Sequence, residues 1–119
     1  MRTHKDLDVW KDGIDFVTKG YKITSAYPKE EIYGITSQIR RDAVSIPSNI
    51  GVGAARKSSN EFRQFLYIAL SSTSELNTQI ILSSNLVFLE KDIADVLNLE
   101  LDSISRRLQG LIKSLKISD

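Results

Sequence analysis

Apolar residues recur at intervals of three and four in four stretches of the chain, the spacing that gathers side chains onto one stripe of an α-helix. The first stretch, about residues 6–26, carries Leu7, Trp10, Ile14, Val17 and Tyr21 in this rhythm. The second, about 29–55, carries Ile32, Ile35, Ile39, Ala43, Ile46 and Ile50. The third, about 59–88, carries Phe62, Leu66, Ala69, Thr73, Leu76, Ile80, Ser83 and Val87. The fourth, about 91–116, carries Ile93, Leu97, Leu101, Ile104, Leu108, Leu111 and Leu115. No run alternates with period two, so no strands are expected. Four long amphipathic helices joined by short turns predict one all-α domain, an antiparallel up-down-up-down four-helix bundle.

Local signals mark the ends of these stretches. Asp6, Asp8, Asp12 and Asp15 stand early in the first and Lys19 and Lys22 late, the order that complements a helix dipole. The fourth repeats it, with Asp92, Asp95, Glu100 and Asp102 before Arg106, Arg107, Lys113 and Lys116. Pro28 breaks the first stretch, and Ser58-Ser59-Asn60-Glu61 reads as a capping box that opens the third. Pro47 inside the second predicts a kink, and Gly51 and Gly53 weaken its end.

Two features exceed the needs of one bundle. The first stretch carries a second apolar series, Val9, Gly13, Phe16, Gly20 and Ile23, offset by two residues from the first. That offset is about 200° around a helix. If the first series faces the core, this one faces outward, and its glycines would admit another backbone. In the third stretch, Phe65-Leu66-Tyr67-Ile68-Ala69-Leu70 is apolar all round, the mark of a helix covered on most sides. Val9, Gly13, Phe16, Gly20, Ile23, Phe65 and Ile68 are therefore the expected surface for a second copy, and a homo-oligomer is expected.

Chemistry is scarce. The chain has one histidine, His4, and no cysteine, which removes Cys-His and Ser-His-Asp nucleophiles, thiolate zinc sites and the paired Glu-x-x-His of di-iron bundles. No catalytic residue, metal or cofactor is expected. Glu75 lies mid-helix among apolar neighbours and is read as a structural polar group that pairs with Gln38, Arg40 or Arg41 of another helix. Gly51-Val52-Gly53-Ala54-Ala55-Arg56-Lys57-Ser58 approaches a phosphate-binding loop, but Arg56 occupies the second glycine position and no strand precedes it.

Net charge is only +1 among 119 residues, below what a nucleic-acid-binding domain usually carries. A nucleic-acid or partner contact would fall to local clusters: Arg40, Arg41, Arg56, Lys57 and Arg63, with Arg106 and Arg107 apart. The charged start is followed by no apolar segment, so no secretory signal is expected. The densest apolar run has six residues, against about 20 for a membrane span. A soluble, cytoplasmic protein is the expectation.

The run Gln38-Ile39-Arg40-Arg41-Asp42-Ala43-Val44-Ser45-Ile46-Pro47-Ser48-Asn49-Ile50-Gly51-Val52-Gly53, with Arg56 after it, resembles a known family. So do Leu7…Val9-Trp10, Tyr27-Pro28, and Phe65-Leu66-Tyr67-Ile68-Ala69 followed by Ser74-Glu75-Leu76. They are similar to the four-helix bundle proteins encoded in intervening sequences of bacterial 23S ribosomal RNA genes. The accessory variability determinant of diversity-generating retroelements shares that fold. The resemblance implies a homopentamer, no known catalysis, and contact with RNA or a nucleic-acid enzyme. It also marks Arg56 and Glu75 as positions that match the family pattern, and Asn49, with Glu75, is expected to be a structural polar residue. The family usually continues Asn-Ile-Ala-Glu-Gly; here Val52 replaces the carboxylate. Two functional expectations follow: an oligomeric, non-enzymatic bundle with charge-driven contact to structured RNA, or an interaction scaffold with no nucleic-acid affinity.

Overall fold

The computed structural model describes residues 4–115. It contains four α-helices: α1 (Asp8–Thr24), α2 (Ile35–Ala54), α3 (Ser59–Asn85) and α4 (Lys91–Ser114). Single 3₁₀ turns at His4–Asp6 and Lys29–Glu31 precede α1 and α2. The described residues contain no strand. Consecutive helices pack side by side, while α1 and α4 touch least among the neighbouring pairs, so the bundle is most open along that seam. It measures 49 × 24 × 23 Å.

The core is the sum of one stripe from each helix. Ile39, Ala43, Ile46 and Ile50 of α2 meet Leu66, Ala69, Leu76 and Ile80 of α3 and Leu97, Leu101, Ile104 and Leu108 of α4, all buried. These are the positions the periodicity picks out. Some of the expected core residues stand outside it. Ile32 is exposed, because helix two starts at Ile35 and not at residue 29; Gly34, at φ −111° and ψ −122°, interrupts the helical path between them. Ile93 is also exposed, and Ala94 takes the buried place in the first turn of α4. α2 continues through Pro47, which is itself buried.

The first helix is turned over relative to expectation. Val9, Gly13, Phe16 and Gly20 face the interior, with Phe16 2% exposed. Ile14 and Tyr21 face out, and Leu7, Trp10 and Val17 lie half-buried at the edge. Periodicity reveals two stripes and does not choose between them. Packing chooses, through size: a Cβ on Gly13 would lie 3.3 Å from both Ile46 Cγ2 and Pro47 Cδ. The glycine admits α2 of the same chain, where the sequence suggested another subunit.

Capping follows the signals in part. Ser58 Oγ accepts the Glu61 N–H at 3.1 Å, and α3 begins there. The end of α3 is closed by Phe88 N–H to Ser83 O and Val87 N–H to Ser84 O, with Val87 in the left-handed region at φ 63°. Val87 therefore leaves the core stripe it was expected to extend. At the same end the Tyr27 and Phe88 rings meet at 5.6 Å, tying the α1–α2 connection to the α3–α4 turn. Burial raises the Tyr27 phenol, and a hydrogen bond with Ser83 partly offsets this.

Candidate interaction surface

Because α1 buries its glycine face, its Leu7–Tyr21 face is left beside α2. Trp10, Ile14 and Val17 form one wall of a groove of about 620 Å³, and Val44, Pro47 and Val52 form the other. His4 closes one end. Its ring stands edge-on to Trp10 at 5.4 Å, and a Cβ on Gly51 would come within 3.3 Å of its Nε2. The exposed positions from 38 to 55, along α2 and its C-cap, are Gln38, Arg41, Val44, Ser48, Val52 and Ala55. Only one of the six is charged, whereas a solvated helix face is normally rich in charge.

The residues expected to meet a second copy divide. Val9, Gly13, Phe16 and Gly20 are inside the bundle, so that part of the expectation is corrected. Ile23 is half-buried and lines a second, smaller apolar groove of about 350 Å³ with Ile93, Val96 and Leu97, between α1 and α4. Phe65 packs on Gly53, where a Cβ would lie 2.8 Å from its own Cβ, and sits under the Arg56 guanidinium at 5.0 Å. Ile68, with Tyr67 beside it, does reach solvent. The charge-free ridge Val44, Ser48, Val52, Ala55 was missed, although its three-and-four spacing is visible in the sequence.

The basic residues do not converge into one patch. Arg40 lies over the Tyr21 ring at 4.7 Å, and its Nε donates to Thr24 Oγ1 at 2.9 Å, so it fastens α2 to the end of α1. Arg63 donates to Leu115 O at 2.6 Å and to Asn60 Oδ1 at 3.0 Å, holding the end of α4. Arg107 pairs with Asp12 at 2.6 Å and, with Lys19–Glu100 at 2.7 Å, bridges the α1–α4 seam. Arg41, Arg56 and Lys57 are exposed. Arg41 stands fifteen residues before Arg56, roughly 20 Å along a helix axis. Only Arg56 and Lys57 lie together, at the turn into α3.

A polar seam joins α2 to α3 on the side away from α1. Asn49 Nδ2 donates to Ser45 O and Oγ at 2.8 and 2.9 Å, and Ser72 Oγ donates to Ser45 Oγ at 2.9 Å. One turn on, Gln79 Nε2 donates to Asp42 Oδ2 at 2.8 Å. Glu75 also meets Asp42, and not Gln38, Arg40 or Arg41 as the sequence suggested. The hydrogen bond with Asp42, and then its like charge, hold the Glu75 carboxyl above the ordinary carboxylate range. Glu75 is exposed and adjoins none of the grooves described above.

Among the described residues, no group of three or more His, Cys, Asp or Glu is placed to hold a metal ion, and no helix is long and apolar enough to cross a membrane. The architecture has a solved counterpart. A crystal structure of a protein of unknown function from the S23 ribosomal protein family of Bacteroides thetaiotaomicron aligns with TM-score 0.80 at 22% identity, covering 89% of this chain and 99% of that one. No curated protein matches the sequence. The model of one family matches residues 5–110, nearly the whole bundle just described. The chain therefore belongs to the 23S rRNA-intervening sequence protein family.

Proposed function

We propose that the chain is a non-enzymatic, homo-oligomeric interaction module, with the α1–α2 face as its contact between copies. The observation that carries this reading is the groove of Trp10, Ile14, Val17, Val44, Pro47 and Val52 beside a helix face with a single charge. Contiguous apolar surface of this kind marks an association site more often than solvated exterior. The exposed Tyr67 and Ile68 of α3 add apolar area to the same reading. The pentamer implied by family resemblance is one closed ring of this sort. Light scattering after size exclusion at micromolar concentration tests it. The expected mass is a discrete multiple of the 13.4 kDa chain; a mass of one chain overturns the reading.

A second reading, contact with structured RNA, is favoured by Arg56 and Lys57 alone. They are exposed at the turn into α3, whose first N–H groups attract anions. In a ring of copies this two-residue cluster would repeat and act by avidity. Filter binding at low salt tests it: Arg56→Glu with Lys57→Glu abolishes RNA retention, and retention unchanged by that pair overturns it.

A further inference from the structure

A small pocket of about 330 Å³ opens at the connection between α1 and α2, apart from the two grooves already described. Tyr27, Pro28 and Ile32 give it apolar walls, and Thr36, in the first turn of α2, lines it from the helix side. Thr36 is the informative residue. It is 2% exposed, and its Oγ1 has no hydrogen-bond partner among the described residues. Other buried helical hydroxyls close on the preceding turn: Thr24 Oγ1 donates to Gly20 O at 2.7 Å and Ser83 Oγ to Gln79 O at 2.8 Å. A buried hydroxyl left unpaired is costly, and one that lines a pocket is a group that a ligand oxygen satisfies.

The charged groups that line the pocket have one sign. They are Arg40 and Lys29, with no carboxylate and no residue of α3 or α4. Arg40 stands one turn beyond Thr36 on the same face of α2, so one head group reaches both. It is half-buried and held in place: its Nε donates to Thr24 Oγ1 at 2.9 Å and its Nη2 to Tyr21 O at 3.5 Å. Among the described residues no carboxylate pairs with it or with Lys29. The wider surroundings keep the same sign. Residues 21–41 hold Lys22, Lys29, Arg40 and Arg41 against Glu30 and Glu31. Glu31 turns its Oε1 to the Ile35 N–H at 3.5 Å, and the next acid, Asp42, meets Gln79 of α3.

A fixed guanidinium without a counter-ion is suited to an anion, and its planar fork matches a carboxylate. The apolar walls disfavour a fully oxygenated ion such as phosphate, because they would leave its remaining oxygens unpaired. We propose that this pocket binds a small organic carboxylate, its head group on Arg40, Lys29 and the Thr36 hydroxyl and its hydrocarbon body against Tyr27, Pro28 and Ile32. The site lies apart from the α1–α2 groove and operates whether or not the chain self-associates.

The probe is benzoate, titrated onto the full chain and followed by saturation-transfer difference NMR. Its signal saturates with a Kd on the order of 1 mM, the weak affinity of so small a ligand. Benzyl alcohol, which lacks the charge, binds at least about tenfold more weakly, and an equal concentration of inorganic phosphate leaves the benzoate signal in place. Thr36→Val keeps the shape and removes the hydroxyl. It weakens benzoate about tenfold while stability in urea holds or rises, because an unpaired buried group has gone. Arg40→Lys keeps the charge without the fork and also weakens benzoate about tenfold. Lys29→Gln, at an exposed side chain, weakens it about threefold. No saturable benzoate signal, equal binding of benzyl alcohol, or displacement by equimolar phosphate overturns the proposal. So does benzoate binding unchanged by Thr36→Val or by Arg40→Lys, or a Thr36→Val variant that loses stability, which would show the hydroxyl already partnered.

Discussion

Gly53 and Phe65 hold the ends of α2 and α3 so close that any side chain at position 53 would force them to shift: a Cβ there would lie 2.8 Å from Phe65 Cβ and 2.9 Å from Phe62 Cδ1. In sequence, Gly53 reads as a residue that weakens its helix. In the fold it is a point of close approach. Gly53→Ala gains helix propensity of up to about 1 kcal/mol, but overpacking typically costs about 1–3 kcal/mol. The expected net result is destabilisation of about 1 kcal/mol by urea denaturation, with phenylalanine at 53 far worse. A stabilised alanine variant would contradict the packing.

Val87 gives the reverse expectation. A left-handed residue with a Cβ costs roughly 1–2 kcal/mol, and glycine gives part of this back through its freedom in the unfolded chain. Val87→Gly therefore stabilises the fold by about 0.5–1 kcal/mol in thermal or chemical denaturation. A glycine variant less stable than the parent would contradict the left-handed backbone at this turn.

Arg40 and Arg41 are neighbours with different duties. Arg40→Ala removes a hydrogen bond to Thr24 and a cation–π contact with Tyr21, and is expected to cost about 1–2 kcal/mol. Among the described residues Arg41 bonds Ser37 Oγ alone, at 3.4 Å, and Arg41→Ala is expected to stay within about 0.5 kcal/mol of the parent. Equal losses in urea denaturation would show that the two share a role.

Glu75 makes stability depend on pH in a defined direction. Its folded pKa lies above the unfolded value because of Asp42. The folded chain therefore holds this proton more tightly. The contribution is fully present below the ordinary glutamate pKa, about 4.3, and is lost as pH rises through the raised value. Glu75→Gln keeps a partner for Asp42 without the charge. The parent should lose stability relative to this variant between about pH 4 and neutrality, by a small amount because the site is exposed. A constant difference across that range would exclude the shared proton.

Much of the fold was legible because helical periodicity is redundant. Ile39, Ala43, Ile46 and Ile50, or Leu97, Leu101, Ile104 and Leu108, each vote for the same face. α1 was legible as a helix but not in its orientation. Leu7, Trp10, Ile14, Val17 and Tyr21 outweigh Val9, Gly13, Phe16, Gly20 and Ile23 in bulk, yet α2 approaches at Gly13, and only three-dimensional packing reveals that. The basic candidates failed to gather for a related reason: nearness in sequence along a helix of 1.5 Å rise is distance in space, and Arg40 and Arg63 are occupied with backbone and side-chain partners. The uncharged ridge of α2 was readable from spacing alone. Its importance emerges only once the groove beside it is seen.

The central claim, that copies meet through the α1–α2 face, is tested most directly by the mass of the Ile14→Asp/Val44→Asp variant. Both side chains face out, so its circular dichroism should match the parent. In light scattering after size exclusion the parent should run as a multiple of 13.4 kDa and the variant as a single chain. A folded variant that keeps the parent's multimeric mass, or a parent that is already one chain, would contradict the account.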